Sequence, residues 1–265
     1  MLLKINHTST YHYDQPVPYA LQRLRLTPQT SRTQTVHSWN VRFQGAVKEA
    51  NFRDGFNNIC ELIRHERSAL EISIIAEGSV TTHDATGVYG EDRAPSPLWM
   101  YTRQTELTEP GIQISGLSDT VSGVSDRLER LHALMQSVAS HMRYEIGSTD
   151  VETAAEAALS AGHGVCQDLT HVFCAAARLS GIPARYVSGY LMMDGVEHQA
   201  ASHAWAEAHV AGLGWVGFDP ANNMSPDEKY VRIAAGLDYR DAAPISGIRL
   251  GEGREKLEVS VKVEQ

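Results

Sequence analysis

The sequence predicts an α+β protein, with an all-β domain over residues 1–115 and a core of helices packed on an antiparallel sheet over 116–265. Three observations predict it. Before about residue 125 the apolar residues alternate or fall in short β-branched runs, with no helical period. After it, leucines and methionines recur at three- and four-residue steps. Beyond Gly181 and Pro183 the period returns to extended.

The β region comes first. Thr35 to Gln44 alternates, with Val36, Trp39, Val41 and Phe43 as its apolar members. Ile59 to Arg64 and Leu70 to Ala76 are rich enough in β-branched residues to be strands. Turns fall at Asp54-Gly55, Glu77-Gly78 and Pro95-Ser96-Pro97. The polar stretch Ser115 to Asp126 reads as a linker. Ser125 then caps a helix whose apolar stripe is Leu128, Leu131, Leu134, Met135, Val138 and Met142. A second helix is expected from Glu152 to Leu159, with Thr149 or Asp150 near its start. A third opens at Cys166, buries Leu169, Val172, Phe173, Ala176 and Leu179, and ends at Gly181 and Pro183. Strands follow over 185–191, 202–210, 214–219 and 257–263.

Composition narrows the function. A chain of 265 residues, 42% hydrophobic, can bury a core without disulfide or metal staples. Its net charge of -9 argues against a nucleic-acid partner. Three cysteines, at 60, 166 and 174, make neither a disulfide framework nor a zinc knuckle, and suggest a reducing compartment. The N-terminus lacks a signal-peptide pattern, and no run reaches the roughly 20 apolar residues that span a bilayer. The expectation is a cytoplasmic protein with no membrane partner and an oligomeric state that composition does not determine.

Three residues carry the candidate chemistry. Cys166 opens a helix, where unpaired N–H groups and the positive dipole end favour a thiolate and can later hold an oxyanion. Glycines at 162 and 164 leave room for a substrate backbone. Alone, such a cysteine is more often a small buried hydrophobe. Along Ser202 to Val210, alternation aims His203, Trp205, Glu207 and His209 to one side and the alanines to the other. Alone, His203 is more often packing or surface. Asp219 ends the next strand, where a carboxylate is usually a turn former. The two strands should form a hairpin. With a loop of residues 210–212, His203 lies directly opposite Asp219, and a slip of one residue would destroy that pairing. An imidazole held by a carboxylate on one nitrogen can take the thiol proton on the other.

The segments GHGVCQDLTHVFCAAARLSGIPARYVSGYL, SHAWAEAHV and GWVGFDPAN resemble the core of transglutaminase-like proteins. Their order Cys, His, Asp and intervals of 37 and 16 residues match the bacterial members. Looser signals extend the resemblance to the β-rich domain that precedes this core in many of them: Tyr13 with Pro16-Val17, Arg25 to Pro28, and Asp54 to Asn58. Asp238 to Asp241, Pro244 and the last valine-rich strand resemble the tail of the same group. The resemblance implies a papain-like arrangement, with Cys166 as nucleophile, His203 as base and acid, and Asp219 as the orienting carboxylate. It implies acyl transfer through a thioester on a peptide or protein substrate. Hydrolysis ranks first, because water is abundant and the bacterial relatives are mostly described as cysteine proteases. Transamidation, or a non-catalytic module that kept the fold, are the alternatives. His163 departs from the relatives' pattern and is left without a role.

Other residues point less sharply. Asp168 either fixes the cysteine loop or is an ordinary first-turn acid, and the second reading is preferred. Arg185, Tyr186 and Tyr190 are expected to shape the sheet. Trp205 and Trp215 either wall an apolar cleft or, more commonly for such residues, belong to the core. The twelve histidines, with His198 five residues from His203 and with His163 and His171 flanking Cys166, raise a zinc alternative using Cys166, His203 and Asp219. No HExxH or CxxC spacing supports it, so no metal and no cofactor is expected. No EF-hand loop pattern calls for calcium. His7, His12, His37, His65 and His83 are expected on the surface.

Overall fold

Leu3, Ile5, His7, Ser9, Tyr11 and Tyr13 are buried along β1 (Leu2–Tyr13) while the residues between them face outward, so one sheet face turns inward. The computed structural model describes residues 1–265 apart from 68, 93 and 197. In chain order β2 (Tyr19–Thr27), β3 (Gln34–Gln44), β4 (Ala46–Arg53), β5 (Ile59–His65) and β6 (Glu71–Thr82) follow, then the short β7 (Val88–Gly90) and a 3-10 turn at Leu98–Thr102. The helical segment holds α1 (Ile112–Thr120), α2 (Arg127–His141), β8 (Arg143–Tyr144), α3 (Ala155–Ala161), β9 (His163–Gly164) and α4 (Cys166–Leu179). The chain ends with β10 (Ala184–Leu191), β11 (His198–Gln199), β12 (His203–Val210), β13 (Gly214–Phe218), β14 (Tyr230–Gly236), α5 (Tyr239–Ala242), β15 (Ile245–Leu250) and β16 (Glu255–Glu264).

Two sheets, in the orders β11-β16-β1-β6-β3 and β15-β2-β5-β4, face each other. Tyr11, Tyr13, Leu24, Leu26, Ile63, Ile72 and Ile74 fill the space between them. Strand pairing crosses the expected boundary at 115/116. β16 pairs with β1 from Lys4↔Glu264 to Tyr13↔Glu255, and β15 pairs with β2. In return β7, from the N-terminal stretch, pairs with β13 at the edge of the third sheet, whose order is β14-β10-β12-β13-β7. Leu3, Ile5, Val80 and Val261 pack against Tyr190, Val231 and Ile233, which joins the first sheet to the third.

Helix α4 lies across the third sheet. Its Leu169, Val172, Phe173 and Ala176 are buried in one cluster with Ala206, Ala208, Val216 and Phe218. Alanine on both sides lets helix and sheet approach closely. Leu179, expected in this face, is 46% exposed, while Ala176, Ala177 and Arg178 of the same turn are buried.

The stretch expected as a linker is helical. α1 occupies Ile112–Thr120 and buries Ile114 and Leu117. It lacks a capping residue of its own. Instead Glu156, on α3, accepts the N–H groups of Gly111, Gln113 and Ile114 at 2.8–3.1 Å. A carboxylate brought from another helix satisfies the first turn and complements its dipole. Asp126, not Ser125, caps α2 by accepting the Glu129 N–H at 2.9 Å. The next helix begins at Ala155, later than expected. His7 and His65 are buried rather than exposed, bonded to Tyr190 and Gln22 respectively. Burial lowers both pKa values to about 4, so both stay neutral. Among the described residues no helix is long and apolar enough to cross a membrane.

Candidate active site

The segment before α4 is built to present its first residue. Gly162, at φ 73°, ends α3 in the left-handed region that glycine adopts most easily. β9 then runs parallel to β8, with Tyr144 beside Gly164. A Cβ on Gly164 would sit 2.7 Å from the Asp168 carboxylate, so only glycine fits. Cys166 is half-buried at the first position of the helix, unlike the fully buried Cys60 and Cys174. Among the described residues its N–H and that of Gln167 have no backbone acceptor.

Asp168 does more than sit in a first turn. It is completely buried, and its Oδ2 accepts the Val165 N–H and the Thr149 hydroxyl, each at 2.7 Å. It therefore clamps the residue before Cys166 to the 144–151 loop, and the preferred reading of it as an ordinary acid is corrected. Burial raises its pKa against the pull of those two bonds.

His203 opens β12, and its Nε2 lies 2.7 Å from Asp219 Oδ2. Cys166 packs against the cluster of Tyr186 and Ala204, the residue next to His203. With Nε2 committed to the carboxylate, Nδ1 is the nitrogen left for sulfur. The hairpin register differs from the one expected. Val210 pairs with Gly214 and Ala206 with Phe218, so the loop is 211–213 and the expected cross-strand partner is displaced by two positions. A shift of two preserves the facing of every side chain, whereas a shift of one would have reversed it. His203 thus reaches Asp219 diagonally, and the three predicted residues come together.

Asp219 is fully buried and saturated with donors. Its Oδ1 accepts the N–H groups of Ala221 and Asn222, at 2.9 and 3.1 Å. Its Oδ2 accepts from Asn222 Nδ2 and the Tyr230 hydroxyl, each at 2.8 Å. Burial opposes its charge, but the bonds from His203, Asn222 and Tyr230 hold its pKa below the usual carboxylate value. Burial likewise opposes a charge on His203, yet Asp219 and Cys166 outweigh it and carry its pKa up to about 10. An imidazolium beside the sulfur is therefore the favoured state at neutral pH.

Asn222, Tyr230 and Thr149 escaped the sequence reading. Asn222 lies three residues after Asp219, within reach as a local side-chain partner. Tyr230 arrives from β14 with no local signal.

The rest of the His203 face is packed. Trp205 is 2% exposed and meets Tyr230 edge-on, with ring centroids 5.4 Å apart. Trp215 is equally buried beneath the Arg185 guanidinium, 3.9 Å from the ring centroid. Both tryptophans are core residues. Arg185 and Arg232 share the buried carboxylate of Glu207. Tyr186 and Tyr190 are buried in β10. His171 is fully buried on α4 and accepts the Tyr239 N–H at 3.0 Å. Among the described residues no three His, Cys, Asp or Glu side chains converge as a metal-holding group. His163 is half-buried in β9, and its Nδ1 has no partner among the described residues.

Two family models match the chain. The model for the transglutaminase-like superfamily covers residues 115–220, and the one for the bacterial transglutaminase-like N-terminal region covers 3–81. An uncharacterized protein of Mycobacterium leprae is 28% identical over 280 residues, spanning 98% of both chains. Another, of Mycobacterium tuberculosis H37Rv, is 28% identical over 275 residues, 92% of this chain and 86% of its own. The crystal structure of a protein from Cytophaga hutchinsonii, described as a putative cysteine protease, superposes with a TM-score of 0.76 at 20% identity. It covers all of this chain and 91% of that one, and so shares the fold.

Proposed function

We propose that this protein, whose residues 115–220 match the model of the transglutaminase-like superfamily, is a cysteine-nucleophile acyl-transfer enzyme that hydrolyses peptide or carboxamide bonds. The observation that carries the reading is the 2.7 Å contact between His203 Nε2 and Asp219, with Cys166 packed against Ala204, the residue next to that histidine. Sulfur, imidazole and carboxylate in that sequence are what thiol activation requires.

In the proposed reaction the Cys166 thiolate attacks the substrate carbonyl carbon, and a C–S bond forms as the carbonyl oxygen takes negative charge. The N–H groups of Cys166 and Gln167, in the first turn of α4 and without backbone acceptors among the described residues, are the donors this reading assigns to that oxyanion. The His203 imidazolium gives its proton to the departing amine as the C–N bond breaks, which leaves a thioester. Water then attacks, His203 takes one of its protons, the C–S bond breaks, and a carboxylic acid and the resting pair are released. Asp219 holds the ring through both halves. Amine capture of the thioester in place of water would make the product an amide.

Incubation with a peptide library, acid quench and mass spectrometry test this. An acyl adduct on Cys166 that decays to free acid in the presence of a primary amine is the expected result. Decay to amide alone would reassign the chain as a transamidase. An adduct elsewhere, or none on Cys166 together with equal iodoacetamide labelling of all three cysteines, would overturn the enzyme reading.

A further inference from the structure

We propose that Tyr144, Ile146 and Val151 form an acyl-side specificity surface that selects a large aliphatic side chain next to the scissile carbonyl. This rests on Cys166 being the nucleophile. The three residues lie within one short loop and are 50, 83 and 49% exposed, an unusual concentration of apolar surface. The loop is fastened to the nucleophile's own segment at three points. The Glu145 N–H donates to the Gly164 carbonyl at 2.8 Å. The Thr149 hydroxyl donates to Asp168 at 2.7 Å, and Gln167 Nε2 donates to the Val151 carbonyl at 3.2 Å. Tyr144 pairs with Gly164, two residues before Cys166.

These observations argue for a substrate rather than a folding role. A loop whose backbone is pinned from within while its apolar side chains stay in water gains nothing in stability from them. Placed beside a nucleophile, the same side chains can bury a substrate residue at the moment the carbonyl meets sulfur. Leu, Ile and Val fit the surface, since the acids of the loop are already engaged, Glu145 by Arg143 and Asp150 by the Glu152 N–H and the Thr153 hydroxyl, whereas a charged side chain would lose hydration with no free partner. One well-buried aliphatic contact changes kcat/KM by roughly 10- to 200-fold.

The test uses peptidyl chloromethyl ketones that differ only in having leucine, lysine or glutamate beside the ketone. In each, sulfur bonds to the methylene carbon and chloride leaves with its electron pair. The readout is the ratio of inactivation rates between probes within one protein, so a change in thiol reactivity cancels. The native protein should react with the leucine probe at least tenfold faster than with the lysine or glutamate probe. Ile146→Asp and, separately, Val151→Asp should shrink the leucine-to-lysine ratio by about tenfold or more. Both substitutions fall on exposed side chains. Equal rates for all three probes, or an unchanged ratio in both variants, overturns the surface while selective iodoacetamide labelling of native Cys166 leaves the nucleophile standing. Loss of that selectivity overturns both.

Discussion

The carboxylate of Asp168 accepts the backbone N–H of Val165 at 2.7 Å, so the residue two places after Cys166 fixes the residue just before it. Asp168→Ala removes that bond and the one from Thr149, and leaves a part-buried N–H unpaired. A cost of about 2–4 kcal/mol in unfolding free energy is expected, with slower alkylation of Cys166. Asp168→Asn keeps an oxygen that can accept both bonds and removes a buried charge, so most stability and reactivity should survive. Urea unfolding and iodoacetamide kinetics on both variants check this. Equal loss in the two would mean that the charge, not the hydrogen bonds, is what matters.

His203 should remain an imidazolium well above neutral pH. Its pKa is raised from an ordinary 6.5 to about 10. A group raised in the folded state stabilises that state fully below its unfolded pKa and ceases to do so as pH rises through the folded one. The stabilisation is thus complete below pH 6.5 and fades toward pH 10. Nitrogen-15 chemical shifts of the labelled ring across this range follow the proton directly. In Asp219→Asn the ring should titrate at lower pH, and Cys166 alkylation at pH 7 should fall by roughly a hundredfold or more. A ring already neutral at pH 8 in the native protein would contradict the charge pairing.

Gly189 pairs with His203 across β10 and β12. A Cβ there would lie 2.1 Å from the Val231 carbonyl oxygen and 2.6 Å from the Trp205 ring. Gly189→Ala must therefore push Trp205, on which the His203 ring stacks, or spread the strands. A loss of about 1–3 kcal/mol is expected, together with a drop in Cys166 alkylation. Thermal melting and alkylation rates check it. A native-like rate with lowered stability would show that the histidine tolerates movement beneath it.

Glu156 caps a helix to which it does not belong. Burial opposes its charge, yet the N–H groups of Gln113, Ile114 and Gly111 hold its pKa below the usual value. A depressed acid stabilises the fold above its unfolded pKa and stops doing so as pH falls through the folded one. Glu156→Ala should cost about 0.5–2 kcal/mol at neutral pH, and Glu156→Gln less. Amide exchange at Gly111, Gln113 and Ile114 should quicken in the alanine variant, and unchanged exchange there would refute the cap.

The parts legible in the sequence share a cause. α2 shows a clear helical period because one of its faces is buried, while α4, β10, β12 and β13, buried almost throughout, stand out as apolar runs bounded by glycine and proline, and Cys166, His203 and Asp219 fall on or at the ends of those elements. α1 was missed because its end is satisfied by a residue over 40 positions away, and propensity does not see that. The β12–β13 register was misjudged because the three-residue loop sits one position later than expected, at 211–213 instead of 210–212, and residue types alone do not fix its place. The facing of His203 and Asp219 survived because the displacement was even. Tyr230 and Thr149 act over tertiary distances, so spacing along the chain carried no trace of them.

The pairing of β16 with β1 joins residues 4–13 to residues 255–264. During synthesis the first strand must therefore wait, with one long edge unmet, until residues 255–264 have left the ribosome. A nascent chain halted at residue 250 carries Cys166, His203 and Asp219 on an incomplete platform. Contacts so distant in sequence also make for slow folding, which leaves β1 dependent on whatever shields an open strand in the interval.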